Sequence, residues 1–188
     1  MKARGEWPPE LPKPLLYLHM MPKDPLGWDL RRLLSQSGMT ENIDYKFSNG
    51  DHNGQVSIKQ LNELYNCIDI YLSTAVGGGW ELTVTEAMAC LVPCILPAHS
   101  SLYELAGGGT KAYLLDEFVP ISMPSDSIYR HMCHFEQVSE MILDVAKKIY
   151  DFDDDLERKK KSAYNWVNSL SWDNIYKKWD DIFNEAFF

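Results

Sequence analysis

The sequence predicts an α/β fold, a doubly wound parallel sheet with helices on its faces. Three observations carry this reading. Short apolar runs alternate with helical patterns between Leu15 and Leu115, at the spacing of strand–helix–strand units. A glycine-rich turn feeds one of those runs straight into a helix, and the last third changes to long helical patterns.

Taken in order, residues 1–14 (MKARGEWPPELPKP) form a polar, proline-rich leader that cannot be a central strand, because proline removes a ladder donor. Leu15–His19 reads as a strand. Asp29–Ser37 reads as a helix with Leu30, Leu33 and Leu34 on one face and Gly38 as its stop. Ile43–Phe47 is a second strand, ended by the turn-rich SNGDHNG. Ser57 caps a helix through Cys67 that buries Ile58, Leu61, Leu64 and Tyr65. Ile68–Ser73 is a third strand, and the glycine-rich AVGGGWE leads to a helix from Thr83 to about Cys90. Cys94–Leu96 is the next strand, Ser101–Leu105 a short helix stopped at Gly107, Gly108 and Gly109, and Tyr113–Leu115 the last strand. Asp116–Ser127, with Pro120 and Pro124, reads as a loop. Glu136–Tyr150 and Asp153–Ser169 read as helices, and Ser171 caps a closing one. The block DDDLERKKK places acids in a first turn and bases four residues on, at Asp154/Arg158, Asp155/Lys159 and Glu157/Lys161, which suits a solvated helix. The expected division is a leader over 1–14 and one domain over 15–188, with a helical extension over 136–188.

Composition narrows the function. A formal charge of −9 argues against nucleic-acid binding, which needs a basic face to displace phosphate counterions. No run approaches the length of an apolar membrane-spanning helix, and Met1–Pro14 lacks the apolar stretch of a signal peptide. The 4 cysteines, Cys67, Cys90, Cys94 and Cys133, show no paired framework, so they are expected to be reduced thiols in a cytoplasmic protein.

The informative stretch runs from Tyr71 to Glu104. A buried strand enters a glycine-rich turn that opens a helix. Glycines let the backbone approach a ligand closely, and the helix start offers unpaired N–H groups and partial positive charge. Together they can make a site for a diphosphate at the carboxyl end of a parallel strand, where open α/β sheets bind ligands, although many strand–glycine–helix junctions bind nothing. Thr83-Val84-Thr85-Glu86 also has the form of a capping box, with Glu86 bonding the backbone of Thr83.

The stretch Gly78-Gly79-Trp80-Glu81-Leu82, Thr83-Val84-Thr85, Glu86-Ala87-Met88-Ala89 and Cys90-Leu91-Val92-Pro93 resembles the E-G-F-G-L-x-x-x-E-A-M-A-x-G-x-P signature of the retaining, glycogen-synthase-like glycosyltransferases of GT-B fold. Leu61–Ser73, Leu102–Gly109 and Ser171-Trp172-Asp173 resemble flanking parts of the same family, so the likeness covers roughly residues 15–187. It implies the Rossmann-like, C-terminal, donor-binding half of such an enzyme, lacking the usual first strand and helix. It implies a nucleoside diphosphate sugar as donor and sugar transfer with retention. Gly79, Trp80, Glu81, Leu82, Thr83 and Glu86 would bind the donor: the amides of Leu82 and Thr83 at the diphosphate, and Glu86 at the ribose hydroxyls. Those amides would stabilise the charge that other sugar-nucleotide enzymes give to a metal, so no metal or other cofactor is expected.

Four departures bear on activity. Gly78 stands where the family has its first Glu, and losing a charge-assisted hydrogen bond costs roughly 1.5–3 kcal/mol. Glu81 replaces a glycine, and a carboxylate about 6 Å from a phosphate costs roughly 3 kcal/mol at an effective dielectric of 20; turned round, it could stand in for the missing carboxylate. Leu91 replaces another glycine, costing roughly 1–2 kcal/mol if its backbone is left-handed. The Arg and Lys that relatives carry after the first strand are missing, and Arg4 and Lys13 lack that strand context. With that strand absent, Leu15–His19 and Ile68–Ser73 face a gap. They pair directly, a partner supplies a strand, or the chain is part of a longer protein. The alternative reading is a non-catalytic module that binds a nucleotide sugar weakly or only associates with a partner. The acceptor half would come from a separate chain, or the chain forms a homo-oligomer.

Other candidates are weaker. His131-Met132-Cys133-His134 has ligand spacing on a helix but lacks further ligands, so helix-edge packing or solvent contact is expected. His99 follows the strand Cys94–Leu96 and either borders the donor pocket or is an ordinary loop histidine. Trp28, Trp166, Trp172 and Trp179 are expected in the core. Cys90 and Cys94 have no base beside them and are not read as nucleophiles. The closing helix is expected to leave Ile175, Trp179 and Phe183 exposed or bound to a partner.

Overall fold

A computed structural model of the chain describes residues 7–23, 27–48, 56–122 and 129–187. Arg4, most of SNGDHNG and Pro124 lie outside these residues. The chain divides into two compact units, Met1–Glu63 and Leu64–Phe188.

In the first unit, β1 (Leu16–Leu18) pairs in parallel with β2 (Tyr45–Phe47), Leu16 opposite Tyr45 and Leu18 opposite Phe47. Tyr45 and Phe47 meet edge to face and are buried, as is Leu11 of the leader. Between the strands lies α1 (Leu30–Gln36), capped by Asp29, whose carboxylate accepts from the N–H of Arg32. Gly38, at φ 77°, closes it in the left-handed conformation glycine favours. Arg31 forks onto Glu41 at 3.0 and 3.1 Å and lies over the Phe47 ring. The expected apolar face of α1 is less covered than its spacing suggested, with Leu33 exposed and no residue fully buried.

Helix α2 (Ile58–Tyr65) spans the division and opens with the expected cap. Ser57 Oγ accepts from the N–H of Gln60, and the Gln60 side chain accepts from the N–H of Ser57. Of its predicted buried set, Tyr65 is buried, Leu61 and Leu64 are partly so, and Ile58 is exposed at the first turn.

The second unit carries a three-stranded parallel sheet of β3 (Tyr71–Leu72), β4 (Cys94–Pro97) and β5 (Tyr113–Leu115), with β4 central. All of β4 is buried, which explains its unbroken apolar run without strand alternation. Connecting β3 to β4 is α3 (Leu82–Ala89), which buries Val84, Ala87 and Met88. After β4 comes α4 (Ser100–Leu105), which buries Leu102 and Leu105 and is followed by a 3₁₀ turn over Gly107–Gly109. Ile95, Tyr113 and Leu115 form a core with Val145 of α5 (Phe135–Tyr150) and Leu156 of α6 (Asp154–Asn168). The chain closes with α7 (Trp172–Phe187). Of the expected ion pairs on α6, Asp155–Lys159 is present at 4.0 Å; Arg158 instead pairs with Asp155, and Lys160 with Glu157, both one residue closer in sequence.

Three expectations are corrected. The expected loop Asp116–Ser127 holds a strand: β6 (Phe118–Ser122) forms an antiparallel hairpin with β7 (Tyr129–Cys133), Pro120 opposite His131. A two-stranded ladder leaves each strand one open edge, the place where a proline without an N–H is tolerated. His131 therefore lies on a strand, not a helix, and His134 is the cap residue of α5. Trp28, Trp172 and Trp179 are exposed rather than in the core, and Trp166 is half-buried.

Leu91 has φ 58°, so it is left-handed. It closes α3 in the usual double bond pattern, with Val92 N–H on the Ala87 carbonyl and Leu91 N–H on that of Met88, both at 3.1 Å. Replacing Leu91 by glycine removes the steric cost there and gives back part of it as unfolded-chain entropy. We expect Leu91→Gly to stabilise the protein by about 0.5–1 kcal/mol, read as a rise of roughly 1–4 °C in Tm by calorimetry.

Candidate functional site

The site grows from the carboxyl end of β3. Ser73 extends the ladder by donating its N–H to the Ile95 carbonyl at 3.0 Å, and its side chain is buried. A buried hydroxyl needs partners. Ser73 Oγ donates to Glu81 Oε2 at 3.0 Å and accepts from the N–H of Ala75 at 3.3 Å. These bonds fold the turn back onto the strand end. The carbonyl of Gly78 accepts from Ser100 Oγ at 2.8 Å and Ser101 Oγ at 3.0 Å, tying the turn to the first residues of α4.

α3 begins at Leu82, one residue earlier than expected, with Glu81 as its extended cap residue. The Glu81 carboxylate makes no bond to the helix amides, because Ser73 holds it on the other side. Val84 N–H reaches the Glu81 carbonyl at 3.1 Å, whereas the amides of Leu82 and Thr83 have no hydrogen-bond acceptor among the described residues. The capping box between Thr83 and Glu86 is not formed, since Thr83 lies inside the helix rather than at its cap. The Thr83 hydroxyl instead sits 2.7 Å from that of Tyr71, and Glu86 accepts from the Tyr65 hydroxyl at 2.8 Å. Burial, and then the Glu86 carboxylate, push the Tyr65 phenol far up its range; burial likewise raises Tyr71, so both remain protonated.

The two glycines leave open ground beside this helix start. A Cβ on Gly79 would meet nothing within 4 Å, and one on Gly78 would meet only Glu81 Oε1, at 4.0 Å. Trp80 is half-exposed, its ring centroid 6.0 Å from that of Trp166 on α6, while Lys111 Nζ lies 4.8 Å from the Trp166 centroid. That stack anchors the turn to α6. Neither Glu81 nor Glu86 forms an ion pair among the described residues. A crevice of about 270 Å³ lies at the opposite end of the sheet; it includes Tyr65, Cys90, Leu91, Pro93 and Phe152 but not Leu82, Thr83 or Glu86.

Gly79, Trp80, Glu81, Leu82, Thr83 and Glu86 thus cluster around one helix start, with Gly78 at its rim. Three residues of the site were missed in the sequence: Ser73, Tyr65 and Tyr71. A lone serine closing a buried apolar strand was the available signal for the first; nothing in the spacing marked the tyrosines. His99 Nε2 is buried without a hydrogen-bond partner among the described residues, and its ring packs with Phe118 and His131 at 5.1 and 5.9 Å between centroids. Cys94 is buried and its thiol is pushed well up, which is the wrong direction for a nucleophile. Among the described residues no group of three or more His, Cys, Asp or Glu side chains could hold a metal, and no helix is long and apolar enough to cross a membrane.

The fold is similar to that of solved glycosyltransferases. The chain is similar to sucrose-phosphate synthase from Thermosynechococcus elongatus (TM-score 0.59, 17% identity, 92% of this chain and 38% of that one). It is similar to HepE from Anabaena, solved in complex with UDP (TM-score 0.55, 16% identity, 85% of this chain and 36% of that one). It is also similar to a glycosyltransferase from Rickettsia africae ESF-5 (TM-score 0.57, 15% identity, 83% of this chain and 35% of that one). The fold is therefore that of part of a GT-B glycosyltransferase, an α/β fold with parallel strands. The chain spans well under half the length of each. No family model matches the sequence, and no curated protein sequence matches it.

Burial, and then the neighbouring His131, lower the His99 pKa. The folded chain therefore binds that proton less readily than the unfolded one, and stability falls as pH drops through the ordinary histidine range near 6.5. Carboxylates held low, Glu41 and Asp44, titrate below this window. Tm should fall between pH 7.5 and 5.5, and His99→Gln should shrink that fall; an unchanged fall would assign it to other groups.

Proposed function

We propose that the chain is the donor-binding half of a nucleotide-sugar-dependent glycosyltransferase, moving a sugar from a nucleoside diphosphate to an acceptor with retention. The observation that carries this reading is the pair of open amides, Leu82 and Thr83, at a glycine-rich helix start on the carboxyl side of a parallel sheet. In the proposed reaction the bond from the sugar's anomeric carbon to the diphosphate oxygen breaks, the acceptor hydroxyl oxygen forms the new bond to that carbon, and the hydroxyl proton leaves with the diphosphate. Negative charge grows on the leaving diphosphate. The two amides and the helix dipole are aimed where that charge develops, and need no reorganisation to stabilise it.

The remaining roles follow from position. Glu86 takes the ribose hydroxyls, sharing its carboxylate with the Tyr65 donor that fixes its orientation. Gly78 and Gly79 leave room for the sugar, and the Glu81 carboxylate stands at the edge of that room, offering an acceptor where Gly78 has no side chain. Trp80, leaning on Trp166, frames the mouth. HepE's complex with UDP supports a diphosphate ligand of this kind. The acceptor hydroxyl would be placed by residues beyond this chain's donor site.

Calorimetric titration with a panel of nucleoside diphosphate sugars tests the reading. Binding is expected, and Glu86→Ala should weaken it by about 10-fold or more, the cost of one charge-assisted hydrogen bond. No binding by any member of the panel would leave a non-catalytic module. A second prediction concerns the turn: Gly78→Glu combined with Glu81→Gly should tighten donor binding, and unchanged affinity would refute the placement of the sugar between these residues.

A further inference from the structure

Building on the donor-site reading above, we propose that Ser73 is a positioning residue of that site. It holds the Glu81 carboxylate off the first amides of α3, where that carboxylate would otherwise take the place of the diphosphate. Glu81 is thus a competitor carried within the chain. Its backbone is already extended as a cap residue's is, at φ −95° and ψ 100°, yet its side chain makes no cap bond. A carboxylate at that position is drawn to the first-turn amides and to the positive end of the helix dipole. Glu81 Oε2 accepts instead from Ser73 Oγ, at 3.0 Å.

Ser73 is well fixed for this task. Its N–H donates to the Ile95 carbonyl at 3.0 Å, which ties its backbone to the β3–β4 ladder, and its side chain is buried. Its Oγ accepts from the N–H of Ala75 at 3.3 Å, which leaves the hydroxyl proton for Glu81. The second carboxylate oxygen, Oε1, lies 4.0 Å from where a Cβ on Gly78 would stand. The carboxylate therefore spans from the strand end to Gly78, away from the amides of Leu82 and Thr83.

The energetics of capping give the size of the effect. Without the Ser73 hydroxyl, the carboxylate is released to the amides of its own helix start. A cap of ordinary strength then leaves those amides open for only about a fifth to a tenth of the time, and the apparent affinity for a diphosphate falls by about five- to tenfold. Thr83 is the second residue of α3, where cap side chains bond. Its amide should exchange with solvent more slowly by the same factor, because one closed population governs both measurements.

Amide hydrogen exchange by NMR on the full chain tests this, paired with calorimetric titration of the uridine, guanosine, adenosine and cytidine diphosphates. These probes carry no sugar, so any contact between Glu81 and a donor sugar stays out of the measurement. Ser73→Ala should slow Thr83 exchange and weaken diphosphate binding, each by about five- to tenfold. Adding Glu81→Ala should reverse both changes, which a merely structural loss at Ser73 would not allow. Should Ser73→Ala fail to fold, Ser73→Cys keeps the side-chain size with a weaker donor and should shift both readings the same way, by less. Thr83 exchange at the wild-type rate in the Ser73 variants overturns the proposal, and so does a double variant that stays slow. If none of the diphosphates binds the wild-type chain, the donor-site reading falls, while the exchange rates still decide whether Ser73 holds Glu81 off the helix.

Discussion

One partly buried hydrogen bond, from Ser73 to Glu81, decides how the candidate site is arranged. A cap residue's side chain ordinarily turns to the first amides of its own helix. Here the hydroxyl at the end of β3 draws that carboxylate the other way, so the helix begins with Leu82 and Thr83 unbonded. The cost of burying Ser73 is met by the same bond that keeps the Glu81 carboxylate off the first amides of α3. The turn is then fixed from three sides: by Ser73, by Ser100 and Ser101 on the Gly78 carbonyl, and by Trp166 against Trp80. Its glycines are held open by neighbours, not by their own flexibility.

The tyrosines add a second layer of control. Tyr65 and Tyr71 each engage a polar group of α3, and each stays protonated because burial disfavours the phenolate. Glu86 is thereby oriented without being neutralised, since a phenol donates a hydrogen bond but brings no charge. A lysine in place of Tyr65 would orient the carboxylate equally well while weakening it as an acceptor.

Much of the fold was legible in the sequence because it rests on period and punctuation. Tyr113–Leu115 matches residue for residue, and Gly38, Ser57 and Asp153 mark helix ends by their own chemistry. The hairpin was hidden by prolines, since a sequence does not reveal which strand edge is open. The tryptophans were misplaced for a related reason: helical spacing identifies an apolar face, but only tertiary contacts say whether anything covers it. For the site, the glycine-rich turn and the helix start were readable, whereas the competition for Glu81 and Glu86 was not. A capping box and a tyrosine partner are local and distant claims on the same carboxylate, and the distant one prevailed once α3 started a residue early.

Pro120 in β6 has a consequence of its own. Opposite His131 it offers β7 no N–H, so its ring is best tolerated with the nitrogen facing away from the ladder. That outer edge then lacks a donor where an incoming strand would need one. The hairpin is thus poorly suited to template further sheet growth along that side, a safeguard against fibre-like stacking in crowded solution.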